Sequence, residues 1–278
     1  MHSSCVFKKA DELLRSRSKL FHEKEVHVVS FKWIDYSPEL KVYDGDNISE
    51  LDLGILNINV SKEKTCVGTL QDDYAPCPNG ATVSIFSQCQ RCASTWIPRL
   101  ECIFEPSGCE SCSSDFCEKE HSVYLAFLGK YPKIGMTRKA RLKQRLIEQG
   151  ADAYALLATV DHRLKAREEE RTLSNMLNIP QRVGHKKKLA QMARKLDRTG
   201  MQTTYRGIKN RTAVGELRYL RDYPIRKPLR NAPRLRPTAG IHRGKMVGLK
   251  GRFLIYESSG LQAIDLSDLP GRKLRIRS

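Results

Sequence analysis

The chain is short of acid, short of aromatic residues and without a long apolar run. Asp and Glu together number 31 against 49 Lys and Arg, so the 278 residues carry a formal charge of +18. That imbalance excludes an acidic surface and points to polyanionic partners, chiefly nucleic acid, DNA or RNA. No stretch reaches the roughly 18 apolar residues that a membrane span requires, so no membrane partner is expected. The first residues, MHSSCVFKKADELLRSRSK, lack the apolar segment of a secretory signal. The expectation is a cytoplasmic protein with reduced thiols. No internal repeat is present.

Cysteine is scarce outside one place. Cys5, Cys66 and Cys77 are scattered, whereas six cysteines and His121 fall within the 33 residues from 89 to 121. Cys89-x2-Cys92 and Cys109-x2-Cys112 are two knuckles 16 residues apart. At that spacing two tight turns can bring four thiolates to one tetrahedral zinc. Cys102, Cys117 and His121 remain, and Cys117-x3-His121 also has ligand spacing. Seven candidate ligands exceed one site and fall one short of two closed sites. One zinc can take Cys89, Cys92 and two later thiols, or a second partial site can involve Cys102, Cys117 and His121. Disulfides and idle buried thiols are the structural alternatives, and an iron–sulfur cluster is the lesser metal option. A closed, structural Zn2+ would supply folding energy that this apolar-poor block lacks.

The fold class expected is α+β, in five segments. Residues 1–87 form a β-rich N-terminal region, with a helix or loose basic arm over 1–24 and strands in VHVVSFKW, LKVYD, GILNINVS, TCVGTL and TVSIFS. Residues 88–121 are the zinc-ribbon-like cysteine module. Residues 122–180 read β-β-α-β-α: strands SVYLAFL and KIGM joined across GKYP, a helix from Thr137 to Gly150, the strand AYALLATV, and a helix capped by Asp161. Residues 181–240 hold a basic helix stopped at Gly200 and a Pro/Arg-rich extended linker, DYPIRKPLRNAPRLRPTAG. Residues 241–278 are a C-terminal β segment with a hairpin at Ser258-Ser259-Gly260. Whether that hairpin joins the N-terminal sheet is open at this stage.

The charge is concentrated. Between Arg182 and Arg236 stand 17 Lys/Arg against three acids, a surplus of 14. Leu189, Met192, Leu196, Tyr205, Tyr219 and Tyr223 interleave them, a pattern that suits nucleic-acid contact better than a solvated tail. Arg138, Arg141, Lys186, Lys187, Lys188, Arg194 and Lys195 are the candidate contacts. Glu170 is the other anomaly. It falls on the apolar stripe Ala166, Leu173, Leu177 of the last helix, where a carboxylate must be paired with an arginine or hold a cation.

Tyr124 in VYLA, Lys133-Ile134-Gly135 in KIGMTR, Arg145 in LKQRL and Glu170 occur in an order that resembles the GIY-YIG nuclease superfamily. The whole chain is also similar to a prokaryotic family of unknown function. There a cysteine block ending in Cys-x3-His, here Cys117 and His121, precedes the same run through Gln149-Gly150-Ala151. The first resemblance implies a GIY-YIG-like domain hydrolysing phosphodiesters. Tyr124 would help activate water, Arg145 would neutralise the scissile phosphate, and Glu170 would hold Mg2+ or Mn2+. Lys133 stands where tyrosine is usual and would donate charge or act as a base; Gly135 would let the backbone approach the substrate. Three functions compete: a zinc-anchored nuclease, a non-catalytic nucleic-acid-binding protein, and a zinc-stabilised adaptor.

Overall fold

Period-two alternation builds a large, mainly antiparallel sheet from both ends of the chain. The computed structural model describes residues 23–69, 73–93, 102, 105, 114–225 and 228–277. Residues 1–22 of the arm expected over 1–24 lie outside them, and its last two residues, Glu23 and Lys24, instead open the first strand. Strands β1 (Glu23–Ile34), β2 (Ser37–Tyr43) and β4 (Ile55–Thr65) come from the N-terminal runs, and the short β3 (Ile48–Glu50) lies between the second and third of those runs. The run TVSIFS contributes only β5 (Thr82–Val83), and TCVGTL is not a strand: β4 stops at Thr65, one residue before Cys66.

A second unit follows. It comprises β6 (His121–Leu128), β7 (Tyr131–Arg138), α1 (Leu142–Gln149), β8 (Ala153–Val160) and α2 (Arg163–Leu177), the expected β-β-α-β-α order. Then come α3 (His185–Met192), α4 (Arg198–Lys209), β9 (Arg218–Tyr219), β10 (Arg234–Leu235), β11 (Gly240–Lys250), β12 (Phe253–Glu257), β13 (Leu261–Asp265) and β14 (Arg272–Arg277). The large sheet runs β10-β13-β12-β11-β4-β14-β1-β2-β3, with β5 beside β4; the small one runs β7-β6-β8-β9. The open question is thereby answered. β11 and β14 both pair with β4, and β14 also pairs with β1, so the two β-rich termini share one sheet. No helix among the described residues is long and apolar enough to cross a membrane.

Strand β6 is buried along its full length because both faces are covered. Tyr124 and Ala126 face the large-sheet core with Val28, Trp33, Leu146 and Leu254. Val123, Leu125 and Phe127 face the other way, onto Ala166, Leu173 and Leu177 of α2. The small sheet is thus sandwiched between the large-sheet core and α2.

Several local expectations change. Thr137 and Arg138 belong to β7 rather than to the helix, since Arg138 pairs with His121 and Thr137 with Ser122 at the end of the ladder. Pairing with β6 overrides the helical character of TRKAR. Asp161 spends its carboxylate on Lys165 at 2.9 Å, and the cap of α2 is His162, whose Nδ1 accepts from Leu164 N. Gly200 does not stop a helix. Asp197 accepts from its N–H at 2.8 Å and starts α4, a second helix beyond α3. The expected linker is pinned too: Tyr223 is buried and donates to Ala151 O at 2.9 Å, while Leu229 N–H bonds Met192 O.

Candidate functional site

Cys66, Cys77, Cys89 and Cys92 bring their four sulfurs within 4.8 Å of one another. Cys66 follows β4 directly, and backbone bonds Cys66 N–H to Ala81 O and Val67 N–H to Ser87 O fold the later chain back onto it. Gly68 makes this return possible: its φ is +79°, and a Cβ there would lie 2.1 Å from Ala75 O. Sulfurs placed about 2.3 Å from one tetrahedral zinc stand about 3.8 Å apart; Cys77 Sγ and Cys89 Sγ are 3.9 Å apart. Backbone N–H groups already point at sulfur, from Cys89 to Cys66 Sγ at 3.1 Å and from Gly68 at 3.4 Å. The N–H of Ala81 brings the Cys77 thiol down to about 6, and that of Cys92 lowers Cys89. Burial raises Cys66 and pushes Cys92 up to about 12. The set is all sulfur and closed, which fits a structural zinc or iron and leaves no open position for chemistry.

The knuckle spacing therefore predicted half of this set and the wrong partners for it. Cys89 and Cys92 combine with Cys66 and Cys77; Cys109 and Cys112 lie outside the described residues. Cys102, Cys117 and His121 are not part of the four-sulfur group. All three are buried, and His121 Nδ1 lies 2.6 Å from Lys119 O.

A cleft of about 590 Å3 opens where the two sheets meet. Phe31, Lys32 and Trp33 come from β1, Lys133 from β7, Arg145, Glu148 and Gln149 from α1. Arg182 lies on the α2–α3 loop, Lys188 on α3, and Arg252 on the β11–β12 turn. Six cations thus face one carboxylate. Three are balanced by neighbours: Lys32 by Glu39 at 3.0 Å, Arg145 by Glu148 at 3.5 Å, Arg252 by Asp265 at 2.5 Å. Lys133, Arg182 and Lys188 have no carboxylate partner among the described residues. Lys133 is only 9% exposed. Burial first, then Arg145 and Lys188, brings its pKa down to about 8. Lys188 is lowered to about 8 as well, by burial and then by Arg252 and Arg145.

The four residues of the expected catalytic set are near one another but not equally accessible. Lys133 and Arg145 line the cleft. Tyr124 is fully buried behind Gln149, whose Nε2 donates to its hydroxyl at 3.0 Å, and burial pushes its pKa up to about 12. Gly135 serves the tyrosine ring: a Cβ at 135 would lie 2.7 Å from Tyr124 Cζ. Glu170 does fall on the buried stripe of α2, and it is paired. Arg167 Nη1 lies 2.6 Å from its Oε2, and the same guanidinium binds Glu105 at 3.0 Å and Gln181 at 2.8 Å.

The seven expected nucleic-acid contacts divide likewise. Lys188 lines the cleft, and Lys186 is exposed on α3. Lys187 lies over the Tyr131 ring, Arg138 over Phe116, and Arg141 pairs with Glu148 at 2.9 Å. Arg194 and Lys195 line a second cavity of about 450 Å3 beside Arg221 and Tyr223. Phe31, Arg182 and Arg252 were absent from the site candidates of the sequence reading, since each sits outside the motifs and the three lie on different parts of the fold. Cys66 and Cys77 left a fainter signal: nine cysteines of which only Cys5 stands far from the rest.

The family model described as "Protein of unknown function (DUF2797)" matches residues 54–273. No curated protein and no solved structure matches the chain.

Proposed function

We propose that this chain, which belongs to the DUF2797 family of proteins of unknown function, is a nucleic-acid-binding protein stabilised by a structural zinc and grips a phosphodiester in the cleft between its sheets. The observation that carries this reading is the convergence on one cavity of Lys133, Arg182 and Lys188, none of them ion-paired to a carboxylate among the described residues. Lys133 is buried and Lys188 half-buried, with the exposed Arg182 beside them; holding such like charges together is costly, and a phosphate offsets that cost while replacing lost hydration with charge-assisted hydrogen bonds. Cys66, Cys77, Cys89 and Cys92 would hold the zinc. The basic stretch beyond α2 adds attraction that needs no sequence readout.

The test is anisotropy of labelled DNA and RNA at several salt concentrations, wild type against the Lys133→Gln, Lys188→Gln double variant. Binding is expected to weaken steeply with salt, and the double variant to bind at least tenfold more weakly with a shallower salt slope. Absence of binding at 50 mM salt, or an unchanged affinity in the folded double variant, overturns the reading.

A second reading, phosphodiester cleavage by a GIY-YIG-like domain, is favoured by one observation. Tyr124 and Lys133 both lie within electrostatic reach of Arg145 and Glu170, on elements in the β-β-α-β-α order. In that reading Glu170 would hold Mg2+ or Mn2+, which would polarise the phosphate. Arg145 would neutralise the charge building on it. Glu170 would first have to release Arg167. Incubation with either metal decides: cleavage by wild type, abolished in Glu170→Gln while binding persists, supports it. Cleavage that survives the substitution, or none in wild type, removes it.

A further inference from the structure

The cleft has a second chemistry beside its charge. Phe31, half-buried on β1, lines the same cavity as Lys133 and Lys188, with its ring edge-on to Trp33 at a centroid distance of 6.3 Å. Trp33 is fixed in turn, since its Nε1 donates to Gly251 O at 2.8 Å and its ring meets Tyr223 edge-on. Phe31 is therefore a braced aromatic surface rather than a loose side chain. Gln149 adds a carbonyl, Oε1, buried on the cavity wall without a hydrogen-bond partner among the described residues.

Size selects among polyanions. A volume of about 590 Å3 suits a small organic molecule, for which pockets of roughly 300–1,000 Å3 are usual. A duplex is far larger, and its bases are stacked on each other and not free to meet Phe31. A single strand can offer one base at a time, and aromatic stacking is sequence-tolerant because every base has a π-face. Resting on the nucleic-acid reading above, we propose that the cleft takes one unpaired nucleotide of a single strand, its phosphate on Lys133, Arg182 and Lys188 and its base against Phe31. The protein then prefers single strands to duplex, and the preference lives in Phe31 while the charge lives in the lysines.

The experiment uses the full chain, an oligothymidine 12-mer, the same 12-mer annealed to its complement, and dTMP as competitor. Phe31→Leu keeps the apolar contact of β1 with the core and removes the ring; a thermal melt checks that it folds. The single strand is expected to bind at least tenfold more tightly than the duplex. Phe31→Leu should weaken the single strand by roughly 5- to 150-fold, the range of one lost base stack, and leave duplex binding unchanged. Equal affinity for both forms, or an equal loss on both in Phe31→Leu, overturns this inference while nucleic-acid binding itself stands. No binding of either form overturns both. A strand that binds no better than dTMP assigns the cleft to a free nucleotide and likewise overturns the single-strand assignment.

Discussion

Lys133 and Lys188 repel each other in a cavity that has removed most of their water, and both titrate near 8 rather than above 10. The charged groups that act on them most have named places: Arg145 on α1, Glu170 on α2, Arg182 on the loop beyond, Arg252 on the β11–β12 turn and Asp265 at the end of β13; Lys32 and Glu148 line the same cavity. The folded pKa is depressed, so between about 8 and about 10.4 the unfolded chain binds more protons than the folded one. Stability without ligand therefore rises with pH across that window, and the burial cost is present in full below 8. Anion binding runs the opposite way, because it needs the charged amines. Affinity for a single strand should fall as pH climbs through 8, and binding at pH 8.5 should draw protons from the buffer. Calorimetry in two buffers of different ionisation enthalpy measures that uptake, which Lys133→Gln should roughly halve. Uptake of zero in wild type would mean that phosphate does not meet these amines.

Among the elements, the joint between α1 and the β11–β12 turn holds the cleft's two walls in register. Gly150 ends α1 at φ +73°, and Gly251 approaches it so closely that a Cβ on Gly251 would lie 2.7 Å from Gly150 N. Beside it Lys250 pairs with Asp152 at 2.5 Å, the two side chains being 4% and 7% exposed. Asp152 also accepts from Gly129 N–H at 2.8 Å, and the Lys250 amine lies 5.2 Å from the Tyr223 ring. Lys250→Met takes away a buried amine that faces the Asp152 carboxylate, so we expect a loss of up to about 3–5 kcal/mol. Adding Asp152→Leu should return much of it, and denaturant unfolding of the two variants measures both. This joint was invisible in the sequence, where Asp152 and Lys250 are ordinary charges 98 residues apart. What was legible was periodic: the stripe through Ala166, Glu170, Leu173 and Leu177, the apolar run 123–128, and the hairpin at 258–260. Helix ends misled because two groups compete for each end, as Asp161 against His162 and Asp197 against Gly200 show, and local pattern does not decide the winner. The cleft was half legible. Lys133 and Arg145 sit in motifs, whereas Phe31 and Arg252 arrive through the large sheet.

For the whole molecule the remaining question is how much metal holds it together. The four-sulfur group uses Cys66, Cys77, Cys89 and Cys92, and none of them belongs to the core shared by the two sheets. If these sulfurs hold the proposed zinc, its removal should loosen the segment that carries them, read as faster hydrogen exchange there, while β6 and β11 stay protected. The assignment also changes the cysteine arithmetic. The second knuckle loses the partners its spacing suggested, and the thiols left in the block are Cys102, Cys109, Cys112 and Cys117. Their number equals the ligands of one further tetrahedral zinc, a count taken from sequence because Cys109 and Cys112 lie outside the described residues. Cys117 is anchored to the small sheet's helix, since Arg163 N–H bonds its carbonyl at 2.9 Å, so a metal there would brace the start of α2. Elemental analysis of protein grown without added zinc should read two equivalents per chain. Cys66→Ser and Cys109→Ser should each remove one, independently, and the pair should remove both. A wild-type reading of one that Cys109→Ser leaves untouched would confine metal to the Cys66 group and leave the second knuckle as ordinary reduced thiols.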